Sequence, residues 1–163
     1  MAKNKEEKTN VMRVLEQKKI AYTAHTYPHE EGMAVDGVTV AQSMGFDPAI
    51  VFKTLVARGA SKQYYVFDVP VAENLDLKKA AKAVGEKSIE MIHQKELLPL
   101  TGYVHGGCSP VGMKKLFPTL FHSSAENLAA MIVSAGKIGY QVELSPRDLA
   151  ALVRAKFADI IVE

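Results

Sequence analysis

The run at residues 51–56, Val-Phe-Lys-Thr-Leu-Val, places one cation in an otherwise apolar, β-branched stretch. In a strand, Lys53 shares one face with Val51 and Leu55, and the opposite face is also mainly apolar. Both faces are therefore predicted to be buried. A buried ammonium needs an anion, a route to water or a chemical role. An edge strand from which Lys53 reaches solvent is the alternative that this segment leaves open.

Capping residues followed by apolar residues at helical spacing predict five short helices. The first is capped by Thr9 or Asn10, and the last begins at Ser145, which is followed by a proline and then by an acid at the third helical position. The apolar stripe of the first helix consists of Val11, Met12, Val14 and Leu15. The other helices are predicted at Thr39–Met44, at Leu77–Val84 with Asp76 as its cap, and at Lys95–Leu98.

Alternating and β-branched residues predict six strands, four of which form two hairpins. The hairpins are predicted to pair Phe52–Ala57 with Gln63–Val69, and Ala129–Ser134 with Tyr140–Leu144. Single strands are predicted at Ala21–Tyr27 and Ser88–Ile92, with a loop over His29–Gly37. Because hairpins and short helices occur without a regular βαβ repeat, the sequence predicts an α/β fold on a mixed sheet.

The composition is that of one ordinary globular domain. The chain has 163 residues, 48% of them hydrophobic and 23% charged, and only the polar residues 1–8 are predicted to be a flexible leader, so the domain spans residues 9–163. No apolar run approaches the roughly 18 residues needed to span a bilayer, and the N-terminus lacks an apolar signal core. A single cysteine, Cys108, fits a reducing compartment. These features predict a cytoplasmic protein without a membrane partner.

The charge balance limits the kind of nucleic acid that the chain could contact. A formal net charge of +2 and a pI near 8.6 suit a small footprint on RNA better than the coating of a DNA duplex. Lys78 and Lys82, on the helix predicted at Leu77–Val84, are candidates for RNA phosphate contacts. A solvated helix face without a ligand is the alternative.

A glycine-rich segment, residues 101–112, is the second candidate for chemistry. It holds four glycines and a proline, so its backbone turns sharply or lets a ligand approach, and its amides could hold a phosphate or an oxyanion. A plain connecting loop is the alternative, because neither phosphate-binding fingerprint is present.

Other common catalytic groups are poorly supported by the sequence. Cys108 with His105 could form a nucleophile and base, although a lone cysteine is more often a small buried hydrophobe. His25 and His29 have helical spacing, but Pro28 lies between them, so no metal site is predicted. The Gly-x-Ser-x-Gly motif of serine hydrolases is missing. An enzyme with this sequence is therefore expected to work without a metal, a cofactor or a nucleophile of its own.

Read together and in order, these segments resemble the YbaK/EbsC family of aminoacyl-tRNA deacylases, which is related to the editing domain of bacterial prolyl-tRNA synthetases. The resemblance runs from about Asn10 to Ile161. It rests on His25–Tyr27, Val51–Leu55, Leu75–Lys79 with Ala81–Ala83, Gly102–Tyr103 with Gly106–Gly107, Ser109–Pro110 and Lys114–Lys115, Val133–Lys137 and Ala155–Ile160. It implies a mixed, mostly antiparallel sheet that curls into a partly open barrel with short helices packed around it.

The resemblance implies that the protein removes a mischarged amino acid from tRNA, with cysteine on proline tRNA as the expected substrate. It also implies aminoacyl-tRNA as a partner and leaves association with prolyl-tRNA synthetase open. The rival hypothesis is a non-catalytic module that binds the tRNA 3′ end or an aminoacyl-nucleotide. A cysteine-dependent hydrolase of small esters is a third.

The resemblance also implies roles for individual residues. Lys53 matches the family's essential lysine, which holds the phosphate at the tRNA 3′ end, and the backbone of Gly106 faces the scissile ester. Tyr27 and Ser134 match pocket residues, and Gln141 stands where well-studied relatives carry an aspartate, so the strict choice of cysteine is in question.

A protein nucleophile is dispensable if the substrate supplies one. The thiolate of an esterified cysteine can attack its own carbonyl, and well-oriented intramolecular attack can supply roughly 7–11 kcal/mol of the barrier. The protein then needs a phosphate anchor, expected to be Lys53, and oxyanion donors, expected to be the amides of Gly106 and Gly107.

Overall fold

The computed structural model describes residues 8–30 and 33–163, so the predicted leader lies outside the described residues except for Lys8. The five helices are α1 (Asn10–Gln17), α2 (Gly37–Ser43), α3 (Leu77–Val84), α4 (Gln94–Thr101) and α5 (Pro146–Val153). The eight strands are β1 (Tyr22–Thr26), β2 (Phe52–Gly59), β3 (Tyr64–Pro70), β4 (Ile89–Met91), β5 (Thr119–His122), β6 (Met131–Ser134), β7 (Tyr140–Leu144) and β8 (Lys156–Ala158). Two short 3₁₀ helices lie at Pro48–Ile50 and Ser123–Asn127.

The predicted caps hold the helix ends. The Thr9 side chain accepts a hydrogen bond from the Met12 amide at the start of α1, and Asp76 accepts from the amides of Lys78 and Lys79 at the start of α3. Ser145 caps α5, with Pro146 at its first position. These contacts fix where the helices begin, as the sequence predicts.

The strands form two sheets. One has the order β1-β7-β6 and is antiparallel; the other has the order β4-β2-β3-β5-β8, in which β5 pairs in parallel with both β3 and β8. An isolated bridge between Val51 and Ile132 joins the sheets where β2 begins. The prediction of an α/β fold with mixed pairing is confirmed. The described strands do not close into a barrel, and the curling into a partly open barrel stays a prediction.

Both predicted hairpins and both single strands are present, whereas β5 and β8 were not predicted. Those two strands have only four and three residues, too few for alternation to be distinguished from a loop. The helix predicted at Lys95–Leu98 is shorter than the observed helix, because α4 continues through Pro99 to Thr101. Pro99 has no N–H to donate, but the helix continues past it. At its end the Gly102 amide donates a hydrogen bond to the Leu98 carbonyl (2.8 Å).

The larger core lies against the three-stranded sheet and includes Leu15 of α1, Phe121 of β5 and Leu149 of α5. A second core packs α3 through Ala80 and Ala81 onto one face of the five-stranded sheet. Across the described residues, no helix is long and apolar enough to cross a bilayer.

Candidate active site

A cavity of about 540 Å³ opens where the two sheets meet, at the start of β2. Such a volume lies within the usual range for small-molecule sites. Its walls come from β2, from the ends of β6 and β7, from the segment before α2 and from the turn that contains Gly106. Side chains and backbone with chemical capacity line it at Tyr27, Asp36, Lys53, Thr54, His105, Gly106, Cys108, Ser134 and Gln141.

Lys53 is half-buried in this cavity. Within the described part of the chain it makes no hydrogen bond or ion pair. Burial lowers the pKa of its ammonium, and the carboxylates of Asp36 and Glu73 act in the opposite direction from farther away. Because no described carboxylate forms an ion pair with this cation, it is available to an anion that enters the cavity.

Gly106 lies in a turn that forms another part of the cavity wall. Its φ is +90°, and a Cβ added there would lie 2.7 Å from Cβ of Ala34, so the turn fits closely against the segment before α2 only as glycine. Among the described residues, the Gly106 amide is not engaged in a hydrogen bond. This amide can therefore donate to a ligand.

Gly107 differs from its neighbour. Its amide donates to the carbonyl of Val104 at 3.0 Å, and the residue does not line the cavity. An added Cβ would contact the backbone of Lys137 and Ile138, so this glycine serves close packing between two loops. The Gly107 amide is thus already occupied in this structure, whereas the role of Gly106 as an oxyanion donor stays a prediction.

Another part of the cavity wall is built from the paired strands β6 and β7. Ser134 of β6 and Gln141 of β7 are cross-strand partners. The Ser134 hydroxyl accepts a hydrogen bond from the Gly136 amide at 3.1 Å, which leaves its own proton free to donate. Tyr27, which is 8% exposed, follows β1 at the same end of the sheet. Its backbone N–H donates a hydrogen bond to the Gly139 carbonyl.

Gln141 carries a buried acceptor without a donor. The side chain is 7% exposed, and its Oε1 has no hydrogen-bond partner in the described chain. An unsatisfied buried carbonyl oxygen costs free energy unless a ligand donates to it. A substrate ammonium or hydroxyl would meet this need.

Thr54, next to Lys53 in β2, pairs with the buried Asp68 of β3. Thr54 lines the cavity, and its hydroxyl donates to Oδ1 of Asp68 at 2.5 Å, while Oδ2 of Asp68 has no partner among the described residues. Asp68 is fully buried, and desolvation raises its pKa to about 7, against which the Thr54 hydrogen bond acts. This carboxyl changes charge near neutral pH.

The buried acid makes stability depend on pH. Unfolded Asp68 ionises near pH 3.8, whereas the folded carboxyl keeps its proton to about pH 7, so the free energy of unfolding falls as the pH rises from 4 to 7. The difference between the two pKa values corresponds to about 4 kcal/mol. We expect Asp68→Asn to be more stable than the wild type at pH 8 and to lose this advantage toward pH 4. Urea unfolding of both proteins at pH 4, 6 and 8 measures the difference, and a difference that stays constant with pH would contradict the expectation.

Cys108 also lines the cavity but is a poor nucleophile. Burial, and secondarily Asp68, raises the pKa of its thiol to about 12, so the thiolate is scarce at neutral pH. No ring nitrogen of His105 contacts the thiol in the described structure. The cysteine-dependent hydrolase hypothesis therefore loses its reactive group.

Lys78 and Lys82 lie outside the cavity. Both are exposed on α3, whose opposite face packs on the five-stranded sheet. Lys79, between them, is instead engaged by Asp159 at 3.1 Å and by Glu163 at 3.3 Å. The helix thus presents two exposed cations that have no ion-pair partner among the described residues, and Lys79 lies in an ion-pair cluster with the C-terminal segment.

Five residues predicted from the sequence as site candidates line this one cavity: Tyr27, Lys53, Gly106, Ser134 and Gln141. Thr54 and Asp68 are functional candidates that were not predicted. The signal was available for Asp68, because an acid in the apolar run Val66-Phe67-Asp68-Val69 is as unexpected in a buried strand as Lys53 is.

Comparison with known proteins gives a consistent result. The profile of the aminoacyl-tRNA editing domain family matches residues 29–152. The chain is 45% identical over 161 residues, 98% of each chain, to the candidate Cys-tRNA(Pro)/Cys-tRNA(Cys) deacylase EbsC of Enterococcus faecalis. It also resembles the crystal structure of a candidate trans-editing enzyme for prolyl tRNA synthetase, with 25% identity, a TM-score of 0.79 and coverage of 94% of this chain and 95% of that one. A hypothetical protein of known structure shares the fold at 18% identity, with a TM-score of 0.82 and coverage of 93% and 99%.

Proposed function

The chain belongs to the aminoacyl-tRNA editing domain family, and we propose that it is a trans-editing deacylase that removes cysteine from mischarged proline tRNA. The observation that carries this proposal is that the Lys53 ammonium and the Gly106 amide, neither of which has a partner among the described residues, line one cavity. A phosphate anchor and an oxyanion donor in one cavity suit an ester attached to the terminal ribose of tRNA.

The reaction requires positioning more than reactive protein groups. Lys53 binds the phosphate of the terminal nucleotide, which fixes the ester near Gly106. The Gly106 amide donates to the carbonyl oxygen as it gains negative charge. The cysteine thiolate then attacks its own carbonyl carbon, the bond to the ribose oxygen breaks, and a thiolactone forms that water opens to cysteine. This route needs no protein nucleophile, in keeping with the neutral thiol of Cys108.

The pocket wall recognises the amino acid. We propose that Oε1 of Gln141 accepts a hydrogen bond from the substrate ammonium and that the Ser134 hydroxyl and Tyr27 border the side chain. A neutral amide binds an ammonium less tightly than the aspartate of relatives would. Preference for cysteine then depends on intramolecular thiol attack rather than on the strength of ammonium binding.

The free cations of α3 are proposed to contact the tRNA backbone. Lys78 and Lys82 are exposed and unpaired in the described structure, and an added phosphate contact typically steepens the salt dependence of binding. We expect the double charge reversal Lys78→Glu with Lys82→Glu to weaken tRNA binding by about tenfold and to reduce the salt slope. An unchanged affinity for tRNA in a filter-binding assay would show that Lys78 and Lys82 do not contact the tRNA backbone.

We further propose that the protein acts in the cytoplasm, where its tRNA substrate is charged, and that it can associate with prolyl-tRNA synthetase. The rival function is a non-catalytic module that holds the tRNA 3′ end. Gln141 in place of an acid is the observation that favours the rival, since it weakens one substrate contact.

A panel of mischarged tRNAs tests the proposed function. Proline tRNA carrying cysteine, alanine, serine or proline is incubated with the protein, and the remaining ester is counted over time. We expect rapid loss of cysteine alone. Equal release of alanine or serine would show that water, not the substrate thiol, is the attacking group.

A further inference from the structure

Thr54, which lines the cavity, and Asp68, which is buried behind it, form a pair that the mechanism above leaves unused. Asp68 is 0% exposed. Its Oδ1 accepts a hydrogen bond from the Thr54 hydroxyl, with 2.5 Å between the oxygens, and its Oδ2 has no partner within the described residues. A buried carboxyl of this kind is expensive to retain unless it serves the site. In the sheet, Asp68 pairs with Thr54 of β2 on one side and with Phe121 of β5 on the other.

We propose that Thr54 is a catalytic residue and Asp68 its positioning residue, which together relay a proton from the substrate thiol to the leaving ribose oxygen. This inference rests on the proposed function and names the group that accepts the proton of the substrate thiol, which the mechanism above does not assign. When Asp68 is ionised, Thr54 must point its hydroxyl proton at Oδ1. The lone pairs of Thr54 Oγ1 are then left for a proton from the cavity.

The relay balances without any further reactant. The thiol proton passes to Thr54 Oγ1 as the Thr54 proton passes to Oδ1 of Asp68. The sulfur forms its bond to the carbonyl carbon, and the bond between that carbon and the ribose oxygen breaks. The ribose oxygen takes its proton from Thr54, which recovers its own from Asp68. Both residues return to their starting state.

The titratable group that faces Asp68 is the Cys108 thiol, which the raised pKa of about 12 keeps neutral. Thr54 shares β2 with Lys53, but that ammonium makes no ion pair with Asp68. The ionisation of Asp68 near pH 7 therefore sets the range in which the relay operates. Below that range the carboxyl is already protonated and cannot accept.

Kinetics across pH distinguish a relay from a structural contact. We expect Asp68→Asn to lower kcat on Cys-tRNA(Pro) by at least about tenfold at pH 7.3, with little change in KM. The ratio of wild-type to variant kcat should shrink below pH 6.5, where Asp68 is protonated, and above pH 8.5, where the substrate thiol ionises by itself. A ratio that does not vary with pH would overturn the relay.

Variants of Thr54 supply the second test. Thr54→Val should reproduce the Asp68→Asn defect, Thr54→Ser should keep most of the activity, and the double variant Thr54→Val with Asp68→Asn should be no slower than either single change. Additive losses in the double variant would contradict a shared proton path. Thermal unfolding shows whether each variant is folded. If the proposed function itself is wrong, the wild type will leave Cys-tRNA(Pro) intact. That result is distinguishable from failure of the relay, in which the wild type is active.

Discussion

Replacing Lys53 with alanine is expected to reduce deacylation of Cys-tRNA(Pro) by at least about a hundredfold while leaving the protein folded. The ammonium lies half-buried in the cavity without an ion pair in the described chain, so its charge is available to the terminal phosphate. Charge-assisted hydrogen bonds contribute about 1.5–3 kcal/mol each, and the loss of one also misplaces the ester relative to Gly106.

The same substitution should not lower the stability of the protein. Burial lowers the pKa of Lys53, which means that the folded state holds this charge at a cost. We expect the free energy of unfolding of Lys53→Ala to equal or exceed that of the wild type. Lys18→Ala removes an exposed cation at the end of α1 and serves as the control for lost charge. A Lys53→Ala protein that is folded and as fast as Lys18→Ala would refute the phosphate-anchor role.

Replacing Gly106 with alanine is expected to have the second largest effect. The new Cβ would lie 2.7 Å from Cβ and 3.2 Å from Cα of Ala34, at a φ of +90° that other residues rarely adopt. A non-glycine residue in this region costs about 1–3 kcal/mol. The turn must also move away from the segment before α2, which displaces the amide that we propose as the oxyanion donor. We expect a loss of kcat of about a hundredfold.

Gly45→Ala is the matched control for this prediction. Gly45 has a similar φ of +77°, but nothing lies within 4 Å of an added Cβ. The substitution therefore carries the same backbone cost without a steric clash, and its kcat should stay within about twofold of the wild type. Deacylation kinetics and urea unfolding of both variants make the comparison. Equal activity losses in the two variants would show that backbone strain, not the position of the Gly106 amide, governs the effect.

Local chemistry made much of the fold predictable. Thr9, Asp76 and Ser145 mark helix starts because a short side chain that accepts from the first free amides is required there. The hairpin that contains Lys53 was visible because β-branched residues alternate on both sides of a turn. By contrast, the parallel pairing of β5 with β3 and β8 joins segments far apart in sequence, and no local pattern encodes it.

The site was predictable as a set of residues but not as an arrangement. The charge in an apolar strand pointed to Lys53, and the family resemblance supplied Gly106, Ser134 and Gln141. The difference between the two glycines could not be predicted, because it depends on which amide bonds to Val104. The contact between Thr54 and Asp68 depends on the register of β2 with β3, which places the two residues directly opposite each other.

The central claim is that the cavity around Lys53 breaks the ester rather than merely holding the tRNA end. Turnover of Cys-tRNA(Pro) with the protein at one hundredth of the substrate concentration tests this most directly. We expect free cysteine to accumulate to many equivalents of the protein and the tRNA to be left intact. Release that stops at or below one equivalent would contradict it and would establish the non-catalytic binding module instead.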